Sequence, residues 1–369
     1  MNAEGLMVRF EETPRGDHEI RAVFNMGDRD CTVCFCSEDV SLSARPESLV
    51  AAGLLPAMRR GLNLHLDLAL DPVFLDHLQE VKSLFAKWEP LFKPIRVVSA
   101  PSSPVFPDVE KSRVGLFFSG GVDSLYTLLT HQDEITDLIF VHGFDIHPDN
   151  LAHGQLAEES VRKVGRQFGK RVIKVETNLR SFLDLYAAWG ERAHGAAMAA
   201  VAHLLSDELA RIYISASDSG AYLLPWGSHP DLDPFWSSSG LEFIHDGCET
   251  TRTGKLGRIA ESDIALEHLR VCWKNQAGAL NCGRCEKCIR TMIGLKITGA
   301  LDRCTAFEKP LRLWTVLGIK IPHPKFATGQ LDNLAALKED LPEHRWLYWA
   351  LSVAFFRSRL RERFKTWRH

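Results

Sequence analysis

The sequence predicts an α/β protein: a parallel, five-stranded, doubly wound sheet with a four-cysteine zinc module and an N-terminal α+β domain. Three observations carry this. From residue 113 onward, short apolar runs alternate with helical periods. A glycine-rich stretch, LFFSGGVDSLYTLL at 116–129, joins the first run to the first helix. Four cysteines gather in RVCWKNQAGALNCGRCEKCIR, residues 270–290.

The apolar runs are VGLFF, DLIFVHG, RVIKVE, IYISAS and LEFIHD. Their continuous apolar character is that of strands covered on both faces. A helix through VRKVGRQF ends at Gly169, a good left-handed stop. A small-residue helix is expected from Arg192 to Leu209. Such alternation implies parallel strands with right-handed crossovers, and ligands then sit beyond the carboxyl ends of the strands.

Before this, MVRFEE, HEIRAVFNM and CTVCFC read as strands, and the stretch from Pro46 through Phe85 and Trp88 reads as helical. APSSPVFPDVEKS is too rich in proline and serine to continue either element and marks a boundary. The expected division is 1–105, an α+β domain; 112–300, the domain of the alternating pattern and the cysteines; and 301–369, a helical extension.

The chain has 369 residues, 45% of them apolar and 25% charged, with a net charge of −3. That balance argues against indiscriminate nucleic-acid binding by the whole surface. The start, MNAEGLMVRFEE, lacks the basic and apolar regions of a signal peptide, and no run of about 18 apolar residues suggests a membrane span. A cytoplasmic location is expected. Nine cysteines, four of them in one short region, favour a metal over disulfides in a reducing compartment.

An ordinary strand-to-helix turn needs one glycine and a capping residue. SGGVDS, residues 119–124, offers more. Gly120 and Gly121 remove Cβ atoms that would block an approaching anion. The amides from Gly121 through Val122, at a helix start, can point at phosphate oxygens, and Ser119 and Ser124 add hydroxyls. A bare carboxylate would repel phosphate, so Asp123 reads as a Mg²⁺ partner or an orienter of the loop. The Walker A pattern is absent.

C-x9-C-x2-C-x2-C supplies four thiolates, Cys272, Cys282, Cys285 and Cys288, for tetrahedral Zn²⁺. Four protein ligands leave no open position, so the zinc is structural. Lys274, Arg284, Lys287 and Arg290 are placed to offset its charge.

SGGVDS matches in full the S-G-G-x-D-S signature of the PP-loop ATP pyrophosphatases, and the chain resembles that superfamily over about residues 112–300. The resemblance implies an adenine nucleotide alpha hydrolase-like fold and cleavage of ATP between its α and β phosphates. It implies that Ser119, Gly120, Gly121, Val122, Asp123 and Ser124 hold the nucleotide, that Asp123 and Ser124 act in catalysis with Mg²⁺, and that Lys255 reaches the phosphates. The cysteine cluster, followed by Arg290, resembles that of the 7-cyano-7-deazaguanine synthases. In that branch a carboxylate is adenylated and then converted to an amide or nitrile.

The substrate would be a planar heteroaromatic acid. Ser228-His229-Pro230-Asp231 corresponds to that branch's Tyr-Pro-Asp-Cys loop, so Asp231 is expected to read a guanine-like edge, with His229 and Asp218 nearby and Trp226 and Trp236 stacking. HGFDIHPDN replaces the branch's Tyr-Gly-Gln segment, which leaves the acid and the amine open. Its histidines read as structural. Cys31, Cys34 and Cys36 read as core residues. The basic, aromatic C-terminal helix reads mainly as core plus a solvated arginine stripe. Expected partners are the acid, a protein or nucleic-acid acceptor docked by residues 1–105, and a second copy in a homodimer, with no membrane. Two other functions compete. A tRNA thiolation enzyme would need a sulfur-carrying cysteine, for which Cys248 is the evident candidate. A non-catalytic nucleotide-binding subunit would have no need of an intact SGGVDS.

Overall fold

One ten-stranded mixed sheet runs through the computed structural model, which describes residues 5–11, 16–27, 29–101, 112–274, 278–321, 327–339 and 341–366. Its strands are β1 (Gly5–Glu11), β2 (Glu19–Asn25), β3 (Asp30–Cys36), β4 (Asn63–Ala69), β5 (Val97–Ala100), β6 (Val114–Phe117), β7 (Asp137–His142), β8 (Arg171–Thr177), β9 (Arg211–Ser215) and β10 (Glu242–Asp246). The helices are α1 (Pro46–Arg60), α2 (Pro72–Trp88), α3 (Val122–Thr130), α4 (Leu151–Phe168), α5 (Leu179–Leu183), α6 (His194–Leu204), α7 (Arg252–Ile259), α8 (Asp263–His268), α9 (Glu286–Ile297), α10 (Leu313–Gly318), α11 (Thr328–Glu339) and α12 (Leu341–Thr366).

The strand order is β10-β9-β6-β7-β8-β3-β2-β1-β4-β5. The first five in this order are the five apolar runs of the sequence, all mutually parallel. The expected free-standing five-stranded parallel sheet is therefore corrected to the parallel half of a larger, mixed one. β3 lies antiparallel against β8 through Phe35↔Thr177 and Cys36↔Glu176. The Asn178 side chain lengthens this short seam: its Oδ1 accepts from the Cys34 amide at 2.8 Å and its Nδ2 donates to the Thr32 carbonyl at 3.1 Å. A β8 edge left bare would expose unpaired backbone, and β3 covers it. Cys31, Cys34 and Cys36 are only part-buried there.

Side chains alternate between two cores, as strand geometry requires. Ile139, Ile173, Ile212 and Ile214 face a core that also holds residues of β1–β4, α1, α2, α5 and α6. Leu138, Phe140, Val172 and Tyr213 face a second core with α3, α4, α7, α8 and the four cysteines. A third cluster joins α9 to α10–α12. The first hundred residues thus share both a sheet and a core with the parallel half. The stretch from Pro46, read as continuously helical, contains β4 between α1 and α2. The proline- and serine-rich boundary falls largely on 102–111, outside the described residues. Among the described residues no helix is long and apolar enough to cross a membrane.

Candidate functional site

β6 lies between β7 and β9, so the chain winds away from it in both directions. A crevice opens at such a point, beyond the carboxyl ends of the strands. A cavity of about 630 Å³ occupies this place, lined by Phe117, Phe118, Val141 and Ser215 at the strand ends and by Ser119, Gly121, Val122, Asp123 and Ser124 from the loop. That volume suits a small-molecule ligand.

Gly120 has φ of 73°, the left-handed region, and lets the chain turn from β6 into α3. The Gly121 amide donates to the Ser119 hydroxyl at 3.3 Å, and the Ser124 hydroxyl donates to the Gly121 carbonyl at 3.3 Å. Arg270 braces the loop from outside: its Nε donates to the Ser119 carbonyl at 2.9 Å and its amide to the Gly120 carbonyl at 2.7 Å.

Asp123 receives Lys255 Nζ at 3.2 Å and Arg252 Nη1 at 3.2 Å. Burial pushes the Asp123 carboxyl up, but the Lys255 ammonium and Arg252 guanidinium outweigh it and hold the pKa below the usual carboxylate range. Lys255 is 1% exposed, and its ammonium also donates to the Ala216 carbonyl at 2.5 Å. These contacts hold the Asp123 carboxylate at the start of α3 between two cations.

Arg270, Lys287 and Arg290 line the same end of the cavity. Arg270 and Lys287 form no ion pair among the described residues. Burial first, and then neighbouring Arg252, lower the Arg290 pKa, against the opposing pull of Glu286, Asp123 and Asp218. An anionic ligand would pair with these cations. The residues present therefore fit a polyphosphate: an open glycine cradle, a helix start and clustered cations. Lys287 and Arg290, expected to offset zinc charge, point to this cavity.

The cavity wall also carries aromatic side chains. Phe144 and Trp189 meet edge to face at 5.0 Å, Arg180 lies 4.8 Å over the Trp189 ring, and His194 stands 6.5 Å from Trp226. Trp189 begins a one-turn π-helix, Trp189–Ala193, in which the Ala193 amide reaches back to the Ala188 carbonyl. Such widened turns re-aim side chains. Burial lowers the His194 pKa, so the neutral ring's Nδ1 donates to the Trp189 carbonyl at 3.2 Å. A Cβ on Gly195 would fall 1.8 Å from the Gly227 carbonyl oxygen. This backbone contact sets the wall carrying Trp226 and Ser228.

The expected substrate residues separate into two groups. Trp226 and Asp218 line the cavity, and Asp218 accepts the Thr328 hydroxyl at 2.6 Å. His229 is buried against Trp88, and Asp231 is 73% exposed; neither lines the cavity. Trp236 is fully buried against Phe74. Phe144, Trp189, His194, Arg180, Arg252 and Arg270 were not among the expected residues. Only Arg252 had a local signal, three positions before Lys255 in TRTGKLGR.

Cys272, Cys282, Cys285 and Cys288 are buried, with all four Sγ atoms within 4.8 Å of one another. The Sγ pairs at 3.4 and 3.9 Å bracket the roughly 3.8 Å edge of a tetrahedron with Zn–S bonds of about 2.3 Å. The donor set fits a metal such as zinc. Cys272 also lines the cavity, so the module forms part of its wall.

No family model, curated protein or solved structure matches the chain.

Proposed function

We propose that the chain is an ATP-dependent, AMP-forming enzyme that activates the carboxylate of a planar heteroaromatic acid, of 7-deazaguanine type, for transfer to an amine. One observation carries this reading. Asp123, in SGGVDS, is paired with Lys255 and Arg252 in a cavity lined by further cations and by the aromatic rings of Phe144, Trp189 and Trp226.

ATP would supply the adenylyl group that makes the carboxylate carbon electrophilic, and Mg²⁺ would screen its phosphates. The chain's own residues do the rest. The Val122 amide and the start of α3 would face the leaving pyrophosphate. Lys255, Arg252 and Arg270 take up its charge, and Asp123 keeps two of these cations aimed. Positioning and charge stabilisation are the main contributions expected of such a site. Trp189 and Trp226 offer flat surfaces for the acid's ring. The amine is ammonia or a macromolecular amine. A structural zinc would hold the Cys272 side of the wall.

The test is chromatography of the nucleotide products formed from ATP with 7-carboxy-7-deazaguanine and ammonia. AMP and pyrophosphate are expected. ADP and phosphate as the main products would overturn the reading.

A further inference from the structure

The outer face of α12 carries apolar side chains where a surface helix ordinarily presents polar ones. Leu347, Ala350, Leu351, Ala354 and Phe355 turn inward and join α9 and α10 in the third core. The other face holds Trp346, Trp349, Val353, Phe356 and Leu360. Trp346 is 41% exposed, Trp349 55%, Phe356 65% and Leu360 38%, with Val353 half-buried between them. The aromatic residues of this helix, expected to be core, are thus divided: Phe355 is buried, and Trp346, Trp349 and Phe356 are not.

Two features say what covers this face. The first is spacing. Steps of three, four, three and four residues separate the five outer side chains, so they form one seam about 21 Å long. A seam of this period is what one α-helix offers another in knobs-into-holes packing. A lipid surface or a nucleic acid requires no such register. The second feature is charge. Residues 345–361, RWLYWALSVAFFRSRLR, include four arginines and no aspartate or glutamate. Arg345 and Arg359 each stand one position before a seam residue, where flanking charges reach a partner helix. Both are exposed, and neither has an ion pair among the described residues. Arg357, on the other flank, donates to the Ile319 carbonyl at 2.8 Å. A second copy of this face would set arginine against arginine and supply no acid to pair with it.

We propose that the outer face of α12 is the docking site for an acidic amphipathic helix of another protein. Apolar residues of that helix, at the same three–four spacing, pack on Trp346, Trp349, Val353, Phe356 and Leu360. Glutamates or aspartates beside them pair with Arg345 and Arg359. Tryptophan and arginine are the residues that most often dominate the energy of such contacts. The proposal is independent of the chemistry assigned to the cavity.

The test uses the full chain and two fluorescein-labelled helical peptides. Both carry leucine and isoleucine at heptad spacing; one has glutamate on its flanks and the other lysine. Anisotropy titrations are expected to show saturable binding of the acidic peptide, at least about tenfold tighter than the basic one and weakened by salt. Trp349→Glu/Phe356→Glu is expected to weaken it at least about 30-fold with an unchanged melting temperature, because both side chains are largely exposed. Arg345→Glu/Arg359→Glu is expected to reverse the preference in favour of the basic peptide. No saturable binding of the acidic peptide by the wild type, or equal binding of the two peptides, overturns the proposal whether or not the variants fold. Light scattering that finds wild-type dimers, and monomers for Trp349→Glu/Phe356→Glu, assigns the face to a second copy and overturns it. Tighter binding of phosphatidylserine vesicles or of single-stranded RNA than of the acidic peptide, lost in the same variant, also overturns it.

Discussion

Lys255 Nζ sits 3.2 Å from Asp123 and 2.5 Å from the Ala216 carbonyl, so one buried ammonium ties the first turn of α3 to the residue after β9. Removing either partner of such a pair strands a charge, which costs about 3 kcal/mol or more. Asp123→Asn is therefore expected to lower the melting temperature by several degrees as well as to cut AMP formation about 100-fold or more. The double variant Asp123→Asn/Lys255→Met is expected to regain part of the stability and none of the turnover. Calorimetry and a turnover assay on the three proteins check both. A double variant no more stable than the single one would show that the pair is not coupled.

One zinc per chain is expected, held by the four buried thiolates. Serine at Cys288, which is 0% exposed, is expected to lower solubility and to abolish cooperative unfolding, because metal binding and folding are linked at closed sites. Elemental analysis gives the stoichiometry. Well-folded protein free of metal would refute it.

The acid limb of stability is expected to depend on His203. Its Nε2 donates to the Trp236 carbonyl at 3.0 Å, and burial pushes its pKa down to about 4. The unfolded chain takes up a proton near pH 6.5 and the folded one does not. Stability is thus full above about pH 6.5 and is lost as pH falls towards 4, by about 3 kcal/mol in all. Urea unfolding at pH 7 and 4.5 measures this. His203→Gln is expected to remove that difference while costing stability at pH 7.

Gly195→Ala is expected to destabilise by about 2 kcal/mol or more, because its Cβ would overlap the Gly227 carbonyl. The strain falls on the wall bearing Trp226. Weakened binding of the acid should accompany the lowered melting temperature, and unchanged values of both would contradict the contact.

Trp189→Ala is expected to weaken binding of 7-carboxy-7-deazaguanine about tenfold, as loss of a stacking surface would. ATP binding at the SGGVDS loop should not change. Titration calorimetry of each ligand separates the two effects.

The parallel half was legible because its strands are short, continuous runs of Val, Ile, Leu and Phe, a pattern set by burial on both faces. β4 also had a signal. Leu64 and Leu66 alternate with polar residues, but leucine favours helices too, and the flanking helices absorbed it. Nothing local marks β3 as the partner of β8, since pairing depends on which edge is left open. The place of SGGVDS at a strand-to-helix turn and the gathering of the cysteines were legible because each is carried by near-adjacent positions. The aromatic end was not. Trp236, expected to stack on a ligand, is claimed by Phe74 from a distant helix, and Trp189 reaches the cavity only through a widened helical turn.

The seam between β3 and β8 also bears on how the chain is made. Cys34 and its partner Asn178 are 144 residues apart. At about 5–20 residues per second, a ribosome needs roughly 7 to 30 seconds to bring the second after the first. Throughout that interval β3 is an uncapped edge, and the apolar side chains of α1 and α2 lack α6 and the inner face of the parallel half to close on. The nascent N-terminal segment is therefore a natural client for a ribosome-bound chaperone, and slowing translation within residues 36–178 would prolong its exposure to aggregation.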